Sequence, residues 1–304
     1  STISSASKGG TSSAGATGTQ GGSIGAAGMA GIRSGGSAGV AANLPELVNP
    51  PVQGMLNYSS TASWDIDGVQ REAFRIETPT ATYILVKSVA AIASLTDQNN
   101  VLWLNFSSGY RPNRGIPNLG GCCQLDPPDG SNLPAMTTVL DASSATSTHL
   151  RLISKPIDGD YYWLVWDFFV THLTLTVNRS ARPFGFTFYG IPGNVLDASD
   201  ELVLSNGERY RADGPHSVDL PGPAEWAYIT NPETGKNASL FLIQHRDDNL
   251  VDSFSNPDFD SVKFIFGSGE ISDTPMRFSL GLINSVDPAA VTQRIAYVVN
   301  SISP

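Results

Sequence analysis

Two of the four histidines are placed where they can do chemistry. His172 stands between two apolar stretches in WDFFVTHLTLTV, and His245 closes one stretch and opens the acidic run HRDDNLVDSFSNPDFD. Side chains at strand ends can converge on one cleft, and an imidazole beside paired carboxylates suits general acid–base work or a metal. On an enzyme reading, the catalytic candidates are His172, His245, Arg114 and Asp247. A polysaccharide lyase would use them directly, with a histidine taking the C5 proton of a uronate and an arginine neutralising its carboxylate. A glycosidase is the neighbouring alternative. On a plainer reading the histidines are surface or hydrogen-bonded residues at strand ends that add little packing. His149 and His216 carry no such context.

Oxygen ligands for calcium are available in Asp247, Asp248 and Asp252, followed by Asp258 and Asp260, and separately in Asp65 and Asp67 of WDIDG. Neither stretch matches a twelve-residue calcium loop ending in Glu, so a solvated loop is the competing reading. No HxH, HxxxH or CxxC occurs, which argues against zinc. Nucleophile elbow, phosphate loop and dinucleotide fingerprint are also missing from the sequence.

The only cysteines, Cys122 and Cys123, are adjacent in GGCCQLDPP. Neighbouring Cα atoms lie about 3.8 Å apart, below the roughly 4.4–6.8 Å of an ordinary disulfide. A ring between them is strained, and no third cysteine exists. The expectation is therefore disulfides between subunits, with a vicinal ring or two buried thiols as alternatives.

Charge narrows the partners. Charged residues make up 15% of the 304-residue chain, against roughly 25% in an average soluble domain. With five lysines and a net charge of −10, no basic patch suits phosphates, so nucleic acid is not an expected partner. No apolar run approaches membrane-spanning length. A chain starting at Ser1 reads as a processed, extracellular one. Four glycosylation sequons (Asn57, Asn105, Asn178, Asn237) are near chance in so Ser/Thr-rich a sequence.

Positioning falls to β-structure. Residues 1–43 are a Gly/Ala/Ser block with Lys8 and Arg33 as its charges, a linker by composition or an extension that packs on another subunit. Too little apolar surface is present for it to fold alone. Residues 44–304 read as one domain. AFRIET and TYILVKSVAAIASL form a hairpin with a continuing strand, and more than ten short strands follow, among them HLRLISK, YYWLVWDFF, SLFLIQH and RFSLGLIN. Without amphipathic helices between them, they predict a large antiparallel β-sandwich or jelly roll. In YYWLVWDFF, alternation puts Tyr161, Trp163 and Val165 on one face and Tyr162, Leu164 and Trp166 on the other. One face must fill the core, and the other is either a sugar-stacking platform or the second side of a buried central strand, which is the favoured reading. One helix is expected at the C-terminus, capped by Asp287, opened by Pro288, and burying Val291, Ile295, Val298 and Ile302.

RGIPNL (114–119), WDFFVTH (166–172), YGIPGN (189–194), DLPGPAEW (219–226) and LFLIQHRDD (240–248) occur in this order. Over about residues 70–285 the chain resembles a group of secreted bacterial β-sandwich proteins of no established function, some found among carbohydrate-degrading genes. The resemblance implies that Arg114, His172, His245, Asp247 and Asp248 fall at the polar positions of a site. The chain departs from that pattern at Tyr189, where an acid is expected, and at Gln244 and Arg246, where His and Glu are usual. A cluster reduced in this way implies a fold kept after catalysis was lost.

Three functions follow. The first is an extracellular or cell-surface structural protein, self-associating into a homopolymer or filament through residues 1–43 and Cys122/Cys123. The second is a secreted polysaccharide lyase or glycosidase, and the third a non-catalytic carbohydrate-binding module. The structural reading accounts for the most features, so an enzyme is not the leading expectation. No cofactor is implied beyond calcium, and a polysaccharide is the expected partner of the other two readings.

Overall fold

A computed structural model describes residues 54–66, 69–106, 116–117, 119, 135–159, 162–190, 196, 199–212, 214–232, 238–255 and 262–302. They fall within one compact unit, Gly39–Pro304. The Gly/Ala/Ser block, Arg114 and both cysteines lie outside the described residues, as do Asp67, Asp258 and Asp260.

The fold is an all-β sandwich with one helix among the described residues. A five-stranded meander runs β1 (Asn57–Ile66), β2 (Val69–Glu77), β3 (Ala81–Val86), β4 (Ala91–Asp97) and β5 (Leu102–Asn105). A four-stranded sheet is ordered β10-β17-β16-β13, from β10 (Phe184–Gly190), β13 (His216–Val218), β16 (Asp252–Ser255) and β17 (Val262–Ile271). The remaining nine strands form the largest sheet: β6 (Met136–Leu140), β7 (His149–Pro156), β8 (Tyr162–Phe169), β9 (Leu173–Ser180), β11 (Glu201–Leu204), β12 (Arg209–Arg211), β14 (Glu225–Asn231), β15 (Ala238–Gln244) and β18 (Met276–Ile283). Their order is β12-β11-β14-β15-β18-β9-β8-β7-β6, so two meanders join where β9 pairs β18.

Period-two alternation decides which face of the large sheet is dry. Tyr162, Leu164, Trp166 and Phe168 of β8, Leu150 and Leu152 of β7, and Phe278 and Leu280 of β18 point inward and are buried. Both smaller sheets pack on this inner face. Tyr83 of β3 meets Phe168 edge-on at 5.4 Å, while Phe186 of β10 stacks on Phe278 at 4.6 Å. The two smaller sheets approach each other at Gly190, where a Cβ would come within 2.5 Å of the Trp103 carbonyl oxygen of β5. Only glycine fits that approach.

The run TYILVKSVAAIASL is two strands, not a single continuing one. The chain reverses before Ala91, with Ala90 in the left-handed region at φ 51°, and β4 pairs back on β3. No Gly, Pro or Asn marks that turn, which hid it in an apolar run. The edge strand β1 is mostly exposed, and the alternation of Tyr58, Ala62, Trp64 and Ile66 along it is diluted by Ser, Thr and Asn.

Helix α1 (Pro288–Ser301) forms as its sequence predicts, with the Asp287 side chain accepting from Ala289 N at 3.1 Å. Val291, Ile295 and Val298 bury against Trp226, Tyr228, Phe241 and Ile243 on the outer face of the large sheet. This packing, not the cap, carries the helix. Ile295→Ala should cost about 2–5 kcal/mol and Asp287→Ala about 1 kcal/mol. Urea midpoints of the two variants check the ranking.

Candidate functional site

Where α1 does not cover it, the outer face of the large sheet is polar. Register aligns one row of outward side chains across four strands: Ser279 of β18 opposite Thr174 of β9, then Asp167 of β8, then Arg151 of β7. The next row holds Arg277, Thr176 and Val165, and the His245 amide donates to the Arg277 carbonyl at 3.0 Å just past the end of β15.

Asp167, 7% exposed, organises one side of this face. Its Oδ1 accepts from Arg151 Nε at 2.8 Å and its Oδ2 from Arg151 Nη2 at 3.1 Å, a two-pronged pair. His149 Nε2 lies 2.7 Å from the same Oδ1. Hydrogen bonding to Asp167 raises the Arg151 pKa, so the guanidinium is charged at any working pH. His149 and His172 stack on opposite sides of the sequence from Phe169, at 4.8 and 4.7 Å from its ring. Arg277 Nη1 reaches the Ile302 carbonyl at 3.3 Å, tying the sheet to the end of α1.

A cleft of about 380 Å³ opens here, lined by Arg151, Asp167, Thr176, Asn178, Arg277 and Ile302 among others. A second hollow of about 270 Å³ lies farther along β7–β9, lined by Lys155, Trp163 and Arg179. Trp163 is 41% exposed, and Lys155 Nζ sits 4.3 Å from its ring centroid. The outward face of β8 is thus an open one, against the reading that favoured a strand buried on both sides.

The structure brings His172 and His245 to this same outer face. His245 Nε2 lies 2.7 Å from Ser279 Oγ, which lies 2.7 Å from Thr174 Oγ1. Burial pushes the His245 pKa down to about 4, with the Arg277 charge adding to it. Burial, then the charges of His245 and Arg294, pushes His172 down to about 3. Both imidazoles are neutral near pH 7. His172 is 2% exposed and pressed on Phe169, so it adds packing, unlike the expected strand-end histidine.

Asp247 and its neighbours lie apart from the histidines. Gln244 points inward, where its Nε2 donates to Glu225 Oε2 at 2.9 Å. Asp247 caps backbone amides of Gly222 and Asn249, and Asp248 Oδ1 accepts from Leu250 N. Asp252, fully buried on β16, accepts from Gly267 N at 3.0 Å. The Asp248 amide donates to Glu225 Oε1 at 3.1 Å. A carboxyl cluster therefore joins the two layers of the sandwich at the Glu225 end of β14. Among the described residues, no group of three or more His, Cys, Asp or Glu side chains is arranged to hold a metal ion. Asp65, the described member of the other acidic pair, accepts from Gln70 Nε2 at 2.7 Å.

The sequence reading missed Arg151 and Asp167 as a site, although His149, Arg151 and Lys155 of HLRLISK already lay on one face, and it had Trp163 only among the aromatics that could stack on a sugar. It also passed over Glu225, an acid within an otherwise apolar strand. Residues 1–43 and the cysteines, on which the polymer reading rests, lie outside the described residues.

No protein-family model and no curated protein matches the chain. Solved structures share its fold only distantly. HI1317 aligns with a TM-score of 0.43 and 14% identity over 69% of this chain and 92% of that one. A candidate aldose 1-epimerase from Escherichia coli K12 aligns at 0.41 and 14% over 69% and 98%. The insertase YidC aligns at 0.40 and 10% over 76% of this chain and 43% of that one. Likeness at this level carries no functional argument.

The carboxyl cluster has a measurable consequence. Burial, then the charges of Asp252 and Asp248, pushes Glu225 up to about 10. Burial, then Asp248 and Asp219, pushes Asp252 up to about 8, against donation from the Gly267 and Leu220 amides. The unfolded chain loses these protons in the ordinary carboxylate range near pH 4, so folding takes up protons above it. Stability therefore falls as pH rises toward 8 to 10, by about 1.4 kcal/mol per pH unit for each carboxyl still protonated in the fold. Glu225→Gln should flatten the fall of the thermal midpoint between pH 6 and 9 and exceed the parent at pH 9. An equal slope in the variant means Glu225 is ionised in the fold.

Proposed function

We propose that this protein binds carbohydrate, and that the ligand is an anionic saccharide lying across the outer face of β7–β9. The observation that carries this reading is the cationic strip itself. In a chain of net charge −10, the two hollows are lined by Arg151, Lys155, Arg179 and Arg277, with Asp167 as the acid among their lining side chains. From Trp163 to Phe169 along β8 is about 20 Å at roughly 3.3 Å per residue, long enough for an extended ligand.

The chemistry suits a sugar acid. The apolar C–H face of a pyranose stacks on an exposed indole, as Trp163 offers, while hydroxyls take Thr176 and Asn178. Carboxylate or sulfate groups take the guanidinium and ammonium groups. The Lys155 ammonium over the Trp163 ring keeps a cation beside the stacking site. The cleft falls in the size range of small-ligand sites, roughly 300–1,000 Å³. Ser279, the hydroxyl that His245 meets, is 1% exposed, so this pair serves the wall of the site and not attack on a ligand. Binding without turnover is the function that fits.

Affinity electrophoresis and calorimetry with polygalacturonate, alginate and a neutral β-glucan test it. Expected are binding to a polyuronate, weakening with salt, and little retardation by the glucan. Trp163→Ala and Lys155→Ala should each weaken binding about tenfold, or about 1.4 kcal/mol, without altering the thermal midpoint. Failure to bind any polyanionic saccharide would overturn the proposal, and equal affinity for the glucan would remove its charge component.

A further inference from the structure

Arg294 is the strangest charge in the molecule. It lies on α1, is 3% exposed, and faces the sheet with the apolar residues of the helix. Its Nε and Nη1 are buried without a hydrogen-bond partner, and so is Nε2 of His172. Buried guanidiniums are ordinarily satisfied by a carboxylate or by carbonyls, because an uncompensated buried charge is costly. Among the described residues, the titratable groups acting on His172 are His245 and Arg294, and the group acting on Arg294 is the Tyr297 phenol. Burial lowers Arg294 only to about 10, which leaves it protonated at neutral pH. Arg277 adds its charge beside His245.

Three features therefore coincide under the helix. A charged guanidinium keeps two donors unused, and the His172 imidazole, buried on the same outer face of the sheet, has one nitrogen unused. In the tautomer that takes the Thr171 hydroxyl hydrogen at Nδ1, 2.8 Å away, that nitrogen carries a hydrogen and is a third donor. Among the described residues, no carboxylate contributes to either group's shift. We infer that Arg294 and His172 form a buried site for a small anion between α1 and the outer face of the large sheet. The ligand class is a compact anion that accepts hydrogen bonds, such as chloride, acetate or phosphate. It would complete the hydrogen bonding of Arg294 and offset its buried charge. The site is separate from the saccharide strip and stands whether or not that strip binds sugar.

Such an anion binds the folded state alone and so stabilises it by mass action. The test is the thermal midpoint of the full chain in weak zwitterionic buffer at pH 7, titrated separately with sodium chloride, acetate and phosphate at matched ionic strength. At least one anion should raise the midpoint saturably, by about 2–4 °C. Arg294→Met should lose the rise while starting at or above the parent's anion-free midpoint, because an apolar replacement removes an uncompensated charge. Arg151→Ala, which alters the outer cleft, should keep it. A parent that responds no more than Arg294→Met overturns the inference, and so does a rise lost equally in Arg151→Ala. Should Arg294→Met fail to fold, bromide-soaked crystals of the parent decide. Anomalous density within hydrogen-bond reach of Arg294 supports the site, and its absence there overturns it.

Discussion

Width is the constraint on which the rest depends. Nine strands spaced about 4.8 Å apart make a sheet about 38 Å across. Its inner face is covered by two smaller sheets set side by side, which meet at the Gly190 approach because neither is wide enough alone. Among the described residues, α1 is the element that covers the outer face, and fourteen helical residues span about 21 Å, roughly half of that width. The side chains divide accordingly, with Trp226, Tyr228, Phe241 and Ile243 under the helix and Arg151, Asp167, Thr174 and Thr176 beyond it. The candidate binding surface is the part of the sheet that the helix cannot reach.

Charge is sorted by the same geometry. Acids collect where the two layers meet at the start of β14, in Glu225, Asp248 and Asp252, and burial there keeps protons on Glu225 and Asp252. Cations collect on the outer face. Protonation solves the first problem without a partner, because a carboxyl can become neutral within the accessible pH range. An arginine cannot. The same burial therefore leaves Glu225 a neutral acid and Arg294 a charge that needs an anion, which is why the two clusters call for different chemistry.

The fold was largely legible because the strands announce themselves by alternation, as in HLRLISK and RFSLGLIN, and because Asp287-Pro288 marks the start of the helix. What stayed hidden lacked clear signals: the turn before Ala91 has no Gly, Pro or Asn, and the apolar positions of β1 are diluted by Ser, Thr and Asn. The site was legible only in part. His172 and His245 were singled out by residue type, and both reach the outer face. Asp247 was grouped with them by nearness in sequence, yet Gln244 and His245 point to opposite sides of the sheet, and beyond the strand end the chain carries the acids inward. Arg151 and His149 on β7 escaped notice because their partner Asp167 sits on β8, and only register brings them together.

Arg277 joins the parts of this face that otherwise look independent. It lines the open cleft, its main chain receives the His245 amide, and its guanidinium holds the last turn of α1 through the Ile302 carbonyl. A cation at a helix C-terminus is favoured by the backbone dipole as well as by the hydrogen bond. An anionic ligand in the cleft competes for the same guanidinium with a carboxylate, a stronger acceptor than a carbonyl. On the proposed readings, a bound anionic saccharide would draw Arg277 away from the Ile302 carbonyl, while an anion at Arg294 would hold the middle of the same helix. Both would then act on one element, the helix that borders the binding face, and a coupling between them would have opposite signs at its two ends.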